Sequence, residues 1–535
     1  MPLPVVFRPA HRRWLYALSA VLLLPALLIH LGLMPLIEDE GIRATVALEM
    51  EQRGEYFLPT INGEYYYKKP PGYNWFLVLS NRLTGWYNEW SIRLPTVFFL
   101  LLYAASVYYF TRRHFDRRTA FLNAFLLLTC GRILFWDSLL GLIDTCFSWV
   151  IFLNFMWVYH ADERRRPVRF FAVSYLLISA AWMLKGLPAA VFQATTLVPY
   201  LLYRRDWKRL FSPAHFLGVA VFVALVGGYY GYYWSQNPSA ALYNTLFNES
   251  AQRTAVNYGI GQTILHLFTF PFEMTYHFMP WSLLLLYLVQ KNLIATLRAQ
   301  PFVAFCAGMF LTNVAVYWLS VEVYPRYLLM LLPLLFTVLL YLHRHHEAGN
   351  TWQYRTVGPL LTVFALLCVI LAFFPFFVES CWRRPYWLLK TLGLLVGLLP
   401  LAYLIWRVPR ERLLLLVPFL LLVRIGFNWF VLPDRRENDW GHRVRQETLA
   451  LGEAYRDRPL RLYRDSDLKP SNTFYLTGQL NRITPRDFGP PMPATYYIFD
   501  AVAYPEHPFA VVDSIKIRDV QRQLYVGYVG ERPPE

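Results

Sequence analysis

The sequence predicts a polytopic α-helical membrane protein with a small soluble α/β domain at its C-terminal end. Three observations carry the membrane reading. Hydrophobic residues make up 56% of the 535 and charged residues only 16%, against ~25% charged in an ordinary soluble chain. About thirteen apolar runs approach the ~20 residues of helix that a ~30 Å hydrocarbon core requires. The runs then stop near Pro433, and about a hundred residues of different character follow.

The expected spans are 14–35, 91–110, 119–136, 145–160, 170–184, 187–203, 214–233, 277–290, 301–320, 327–342, 357–378, 386–406 and 413–432. Between them, Arg12-Arg13, Arg112-Arg113, Arg164-Arg165-Arg166, Arg204-Arg205, Lys291 with Arg298, Arg344, and Arg407 with Arg410 fall in every second loop. Positive residues in short loops stay cytoplasmic. The alternation therefore predicts a cytoplasmic N-terminus, a C-terminal domain outside, and a first span that is retained. It also accounts for the net charge of +16: the basic residues are topology signals in short clusters, and no nucleic-acid-binding stripe is present. Five scattered cysteines show no paired spacing, so neither a disulfide framework nor a zinc site is indicated.

Two units follow, a transmembrane unit over 1–433 with outer loops at 36–90 and 234–276, and a soluble unit over 434–535. In the tail, Leu460–Tyr463, Tyr496–Phe499, Phe509–Val512 and Leu524–Val529 read as strands. In the first outer loop, Gly41–Gly54 spaces Ile42, Val46 and Met50 as one face of an interfacial helix. Pro70-Pro71 then makes the Tyr-rich stretch before it extended.

On the outer face, charges gather that are not topology markers: Asp39, Glu40, Lys69, Asp144, Lys185, Arg253 and Arg326, with Asp137, Glu249, His277 and Glu322 nearby. Each has a plain structural role open to it. Asp39 and Glu40 suit the start of a helix, Lys68 and Lys185 suit headgroup anchors, and Arg253 suits an i, i+4 pair with Glu249. Charge held at a membrane is nevertheless costly unless it serves a site. Cations can neutralise a phosphate while a carboxylate takes a proton from an acceptor. Asp144 suits a helix cap, and it is also open to binding a divalent metal, orienting the acceptor or pairing with one of the lysines; Glu40 is placed with it on the acceptor or metal side. Tyr65, Tyr66 and Tyr67 are candidates to stack on a sugar.

In combination, Asp39-Glu40, Glu49-Met50, Gly54-Glu55, Pro59, Asn62-Gly63, Lys69-Pro70-Pro71, Trp75 and Arg93-Leu94-Pro95 resemble the amino-terminal signature of the bacterial dolichyl-phosphate-mannose-protein mannosyltransferase-like family. That family includes the aminoarabinose lipid A transferases. Asp144, Lys185-Gly186 with Pro188, His277 with Pro280-Trp281, and Arg326-Tyr327 with Pro333 extend the likeness. The resemblance implies a C-superfamily glycosyltransferase that moves a sugar, with inversion, from a polyprenyl-phosphate donor to a lipid, glycan or protein acceptor at the outer face of the bacterial cytoplasmic membrane. It implies Asp39 as the catalytic carboxylate and Lys69, Lys185, Arg253 and Arg326 as donor-phosphate ligands. Two departures stand out: Lys68 replaces an acidic residue of the aminoarabinose enzymes, and Ile42 stands where an arginine often follows the Asp-Glu pair. The competing readings are a lipid-linked sugar flippase, which calls for repeated halves and broken midplane helices, and a non-catalytic envelope-assembly protein.

Overall fold

A computed structural model describes residues 9–37, 39–162, 166–239, 245, 260–517 and 522–530. Helix α1 (Pro9–Leu28) leads to a turn and then to α2 (Asp39–Arg53), the expected interfacial helix. A two-stranded hairpin follows, β1 (Thr60–Ile61) with β2 (Glu64–Tyr65). The chain stays irregular through Lys69 and enters α3 (Gly72–Thr84) directly after Pro70-Pro71. Proline ends extended chain here and starts a helix, because the first turn needs no N–H from it.

The bundle continues with α4 (Glu89–Arg112), α5 (Arg117–Thr129), α6 (Gly131–Phe135), α7 (Asp144–Asp162), α8 (Pro167–Lys185), α9 (Pro188–Tyr203) and α10 (Pro213–Gln236). Helices Pro301–Trp318, Leu332–Ala348, Trp352–Leu371, Trp387–Arg407 and Arg412–Gly426 complete it. Among the described residues, seven helices are long and apolar enough to cross a membrane, or eight if the pair at Arg117–Thr129 and Gly131–Leu139, bent by 44°, is one span. The chain is a multi-pass membrane protein. Several other expected spans are helices with polar or charged interior positions, such as α7 with Asn154 and His160.

One expectation is corrected. Residues 277–290 form no membrane-length α-helix: Trp281–Leu288 is a 3-10 turn run, and Ile260–His277 is an 18-residue helix inside the stretch read as an outer loop. Gln262, Thr263, His266 and Thr269 interrupt its apolar face, which disguises an amphipathic helix as a polar loop. Residues 240–244 and 246–259 of that loop, including Glu249 and Arg253, lie outside the described residues.

The C-terminal unit is a five-stranded sheet in the order β4-β3-β5-β7-β6, with β3 (Leu460–Tyr463), β4 (Arg486–Asp487), β5 (Tyr496–Phe499), β6 (Ala510–Lys516) and β7 (Gln523–Tyr528). β3 runs parallel to β4 and β5, while β7 pairs antiparallel with β5 and β6. Leu460, Leu462, Leu476, Tyr496, Ile498 and Val526 build its own core. Helix Pro470–Leu480 covers one side of that core and lies on α2. A Cβ at Gly41 would fall 2.8 Å from the Ser471 nitrogen, so only glycine permits this approach.

Candidate active site

The first acidic pair divides its labour. Glu40 is fully buried and accepts Arg93 Nε on Oε1 at 2.7 Å and Arg93 Nη2 on Oε2 at 2.9 Å. Its remaining lone pairs take the Gly141 N–H at 2.7 Å and the Ile37 N–H at 3.2 Å. Arg93 spends its other donors on the Leu31, Met34 and Pro35 carbonyls. Glu40 is therefore no acceptor-side or metal-side residue: every oxygen is engaged in this network, which ties residues 31–37 and Gly141 to the start of α2. Asp39, the neighbouring residue, is left 54% exposed and faces a chamber.

That chamber has a volume of about 250 Å³ and is lined by Asp39, Arg43, Tyr66, Lys68, Lys69, Asp144, Lys185, Glu322 and Tyr327. Lys185 Nζ donates to Asp144 Oδ1 at 2.5 Å, and Arg326 reaches Asp144 Oδ2 at 3.5 Å and Asp39 Oδ2 at 3.4 Å. Lys185 and Arg326 also lie against the Tyr327 ring, 4.0 and 5.7 Å from its centre, where the electron-rich face of the aromatic favours a cation. Asp39, Lys69, Asp144, Lys185 and Arg326, drawn from five separate stretches, thus come together.

Local packing explains the convergence. A Cβ at Gly72 would stand 2.5 Å from the Met183 carbonyl, so the start of α3 sits flush against the end of α8. Pro70 consequently lies beside Gly186, which takes the left-handed conformation (φ 77°) open to glycine. Lys69 and Lys185 therefore face one space. The hairpin upstream is held from inside by Glu49, whose Oε1 accepts the Asn62 N–H at 2.6 Å and whose Oε2 accepts the Thr60 hydroxyl at 2.7 Å and the Gly63 N–H at 3.2 Å. Burial pushes the Glu49 carboxyl above its ordinary value, while those three donors pull it back.

Sequence reasoning missed Arg43. It is 4% exposed, lines the chamber, and donates from Nη2 to the Tyr66 hydroxyl at 2.9 Å. Its Nη1 is buried with no hydrogen-bond partner among the described residues, a costly state for a guanidinium unless a ligand completes it. The signal was available, since positions 39 and 43 are one turn apart on a single helical face. Tyr66 enters the chamber wall, whereas Tyr65 and Tyr67 turn to Tyr233 on α10, with ring centres 6.3 and 5.9 Å away.

A divalent ion would need several hard donors free to converge. Both oxygens of Asp144 face cations, and among the described residues no group of three His, Cys, Asp or Glu side chains is placed to hold a metal. The residues present do not fit the metal expected at Asp144. Asp144 anchors Lys185 and Arg326 instead.

The chamber opens into an apolar groove of about 200 Å³ formed by Leu187, Pro188, Val191, Phe192, Val316 and Tyr317, and Lys68, Lys69, Lys185, Glu322 and Tyr327 line both spaces. A polar chamber bearing fixed cations at the mouth of an apolar groove is suited to a lipid phosphate.

Comparison with known proteins agrees. The family model described as dolichyl-phosphate-mannose-protein mannosyltransferase matches residues 68–230. Undecaprenyl phosphate-alpha-4-amino-4-deoxy-L-arabinose arabinosyl transferases are similar to this chain: that of Shewanella sediminis is 27% identical over 186 residues, 34% of this chain. That of Erwinia tasmaniensis is 27% identical over 203 residues, 37% of this chain. The matched stretch spans 33% and 36% of those two relatives. Across nearly the full length, ArnT from Cupriavidus metallidurans, solved with undecaprenyl phosphate, superposes with a TM-score of 0.68 at 20% identity, covering 98% of this chain and 99% of that one. The fold is that of ArnT from Cupriavidus metallidurans. Over residues 68–230 the chain is similar to the mannosyltransferase family model, and over about a third of its length it is similar to the arabinosyl transferases.

Proposed function

We propose that this protein transfers a sugar from a polyprenyl-phosphate carrier to a hydroxyl or phosphate of a lipid, glycan or protein acceptor, with inversion at the anomeric carbon. The observation that carries the reading is the single chamber in which Asp39 faces Lys69, Lys185 and Arg326 at the head of an apolar groove. The names of the sequence relatives support the donor class.

In this reading the carrier phosphate sits among Lys69, Lys185, Arg326 and Arg43, and the isoprenoid chain lies along Leu187, Val191 and Phe192. Asp39 accepts the acceptor proton as its oxygen attacks the anomeric carbon. The bond from that carbon to the phosphate oxygen breaks, and its electron pair leaves on the phosphate. The charge that develops meets fixed cations in a partly dry site, where each such contact is typically worth about 3 to 4 kcal/mol. Asp144 contributes indirectly by holding Lys185 and Arg326 in place. We place the chamber and the C-terminal domain on the periplasmic side of the bacterial cytoplasmic membrane and the N-terminus in the cytoplasm, as the alternating arginine clusters require.

The test uses the purified full chain with polyprenyl-phosphate sugars and candidate acceptors. Asp39→Asn lowers turnover by about 10²- to 10⁴-fold, as for loss of a general base, and Lys69→Ala lowers it by about 10²-fold or more. Transfer at the parental rate by either variant would overturn the assignment.

A further inference from the structure

A second charged cavity lies at the other end of the bundle. Helix Leu332–Ala348 starts shortly after Arg326 and runs 17 residues, so its far end is ~25 Å from the chamber by the rise of an α-helix. There a space of about 400 Å³ is lined by Arg12, Arg117, Arg118 and Arg344, by Tyr16, Thr119, Asp116 and Glu347, and by the buried Leu122, Leu340 and His343. Two of the four guanidiniums are fixed from behind. Glu411, 2% exposed, meets Arg12 at 2.5 Å and Arg118 at 3.3 Å. The other two stand at the rim: Arg344 pairs with the half-exposed Asp116 at 2.8 Å, and Arg117 lies over the Tyr16 ring at 5.5 Å.

A topology signal alone needs only exposed charge in a loop. This cavity goes further, because an acid buried beneath the arginines holds two of them facing inward around a space large enough for a headgroup. We propose that it seats the headgroup of an anionic phospholipid from the leaflet opposite the C-terminal domain. Its phosphate lies between Arg117 and Arg344. At the end of a membrane-spanning bundle the local concentration of anionic headgroups far exceeds that of free phosphate, which favours the lipid. Basic pockets between transmembrane helices are suited to such headgroups.

The experiment reconstitutes the full chain in phosphatidylcholine nanodiscs containing a minor share of phosphatidylglycerol. It reads lipid retention by native mass spectrometry and the unfolding midpoint with and without phosphatidylglycerol. Arg12 and Arg118 are left intact because they neutralise Glu411; the variants are Arg117→Gln, Arg344→Gln and the pair. The parent retains phosphatidylglycerol over phosphatidylcholine and melts higher in its presence. Each single variant retains it about fivefold less, from ~1 kcal/mol per guanidinium near an anionic surface, with folding and sugar transfer unchanged. Equal retention by the double variant and the parent overturns the proposal. So does an equal rise in the parent's midpoint with inorganic phosphate in pure phosphatidylcholine, which would make the site one for free anions.

Discussion

Arg486 of the C-terminal domain pairs with Glu64 of the hairpin between α2 and α3 at 2.8 Å, and the Arg486 N–H donates to the Asn62 carbonyl at 3.1 Å. That domain thus grips one side of the hairpin while Glu49 holds it from within. The same domain supports α2, where Thr45 donates to the Pro470 carbonyl at 2.7 Å and the Tyr475 hydroxyl takes the Leu36 N–H at 2.8 Å. Both stretches that carry chamber residues at the N-terminal end, Asp39 and Lys69, are therefore braced by residues more than 400 positions away.

Glu64→Ala removes the ion pair and leaves both the backbone bond and the Arg486 hydrogen bonds to the Arg464 and Ser466 carbonyls. Glu64 is half exposed, so the change in stability is within ~1 kcal/mol. The effect falls on Lys69: the KM for the lipid donor rises about tenfold, short of the ~10²-fold that a full ångström of misplacement can cost. Steady-state kinetics beside a melting curve checks this, and an unchanged KM removes the bracing role.

These braces show where legibility ends. Most of the spans, though not 277–290, could be read from hydropathy, and the α2 helix and strands β3, β5, β6 and β7 from periodicity, because burial on one face writes itself into local sequence. The grouping of Asp39, Asp144, Lys185 and Arg326 could be anticipated because unexpected charge on one membrane face is expensive. Glu40 was misassigned for a physical reason: its partner Arg93 is 53 residues away, and nothing local distinguishes a buried structural carboxylate from a reactive one. Arg43 was overlooked because one arginine in an interfacial helix looks solvated until Tyr66 closes over it.

Glu49→Gln places an amide where only acceptors serve. One terminal group of the amide can accept, and its NH₂ must face either the Asn62 N–H or the Thr60 hydroxyl and Gly63 N–H. The loss is ~1 to 3 kcal/mol. The parent carries a pH signature as well. A carboxyl whose value is raised by folding binds more protons in the folded state, so its contribution is fully present below the ordinary glutamate value of ~4.3 and is lost as pH rises through the folded value. Glu49→Gln abolishes that component. Melting curves across this range, parent against variant, must differ in slope; parallel curves refute the assignment.

Arg43→Ala leaves the helix intact, since the Arg43 carbonyl still accepts from Asn74 at 2.9 Å, and it deletes the buried guanidinium. If Nη1 serves the donor phosphate, kcat/KM falls about 10²-fold, the range for one preorganised donor. Arg43→Lys recovers part of this, because a lysine supplies charge without the fork that also reaches Tyr66. Equal activity of all three proteins excludes Arg43 from the site.

Asp144 and Lys185 offer the sharpest separation of scaffold from chemistry. Both are nearly buried, 6% and 7% exposed, and they are joined at 2.5 Å. Asp144→Ala takes a shared buried carboxylate from Lys185 and Arg326 and destabilises the fold by ~3 to 5 kcal/mol; Lys185→Ala costs less, because Arg326 still faces Asp144 at 3.5 Å. Removing both charges with similar volume, as in Asp144→Asn with Lys185→Met, returns most of that stability, because the desolvation of two ions disappears with their attraction. Activity does not return, since Arg326 has lost its anchor and the phosphate one cation. Melting temperatures and transfer rates for the four proteins test both halves. A double variant that is stable and active would place the pair in the scaffold and take Lys185 out of donor binding.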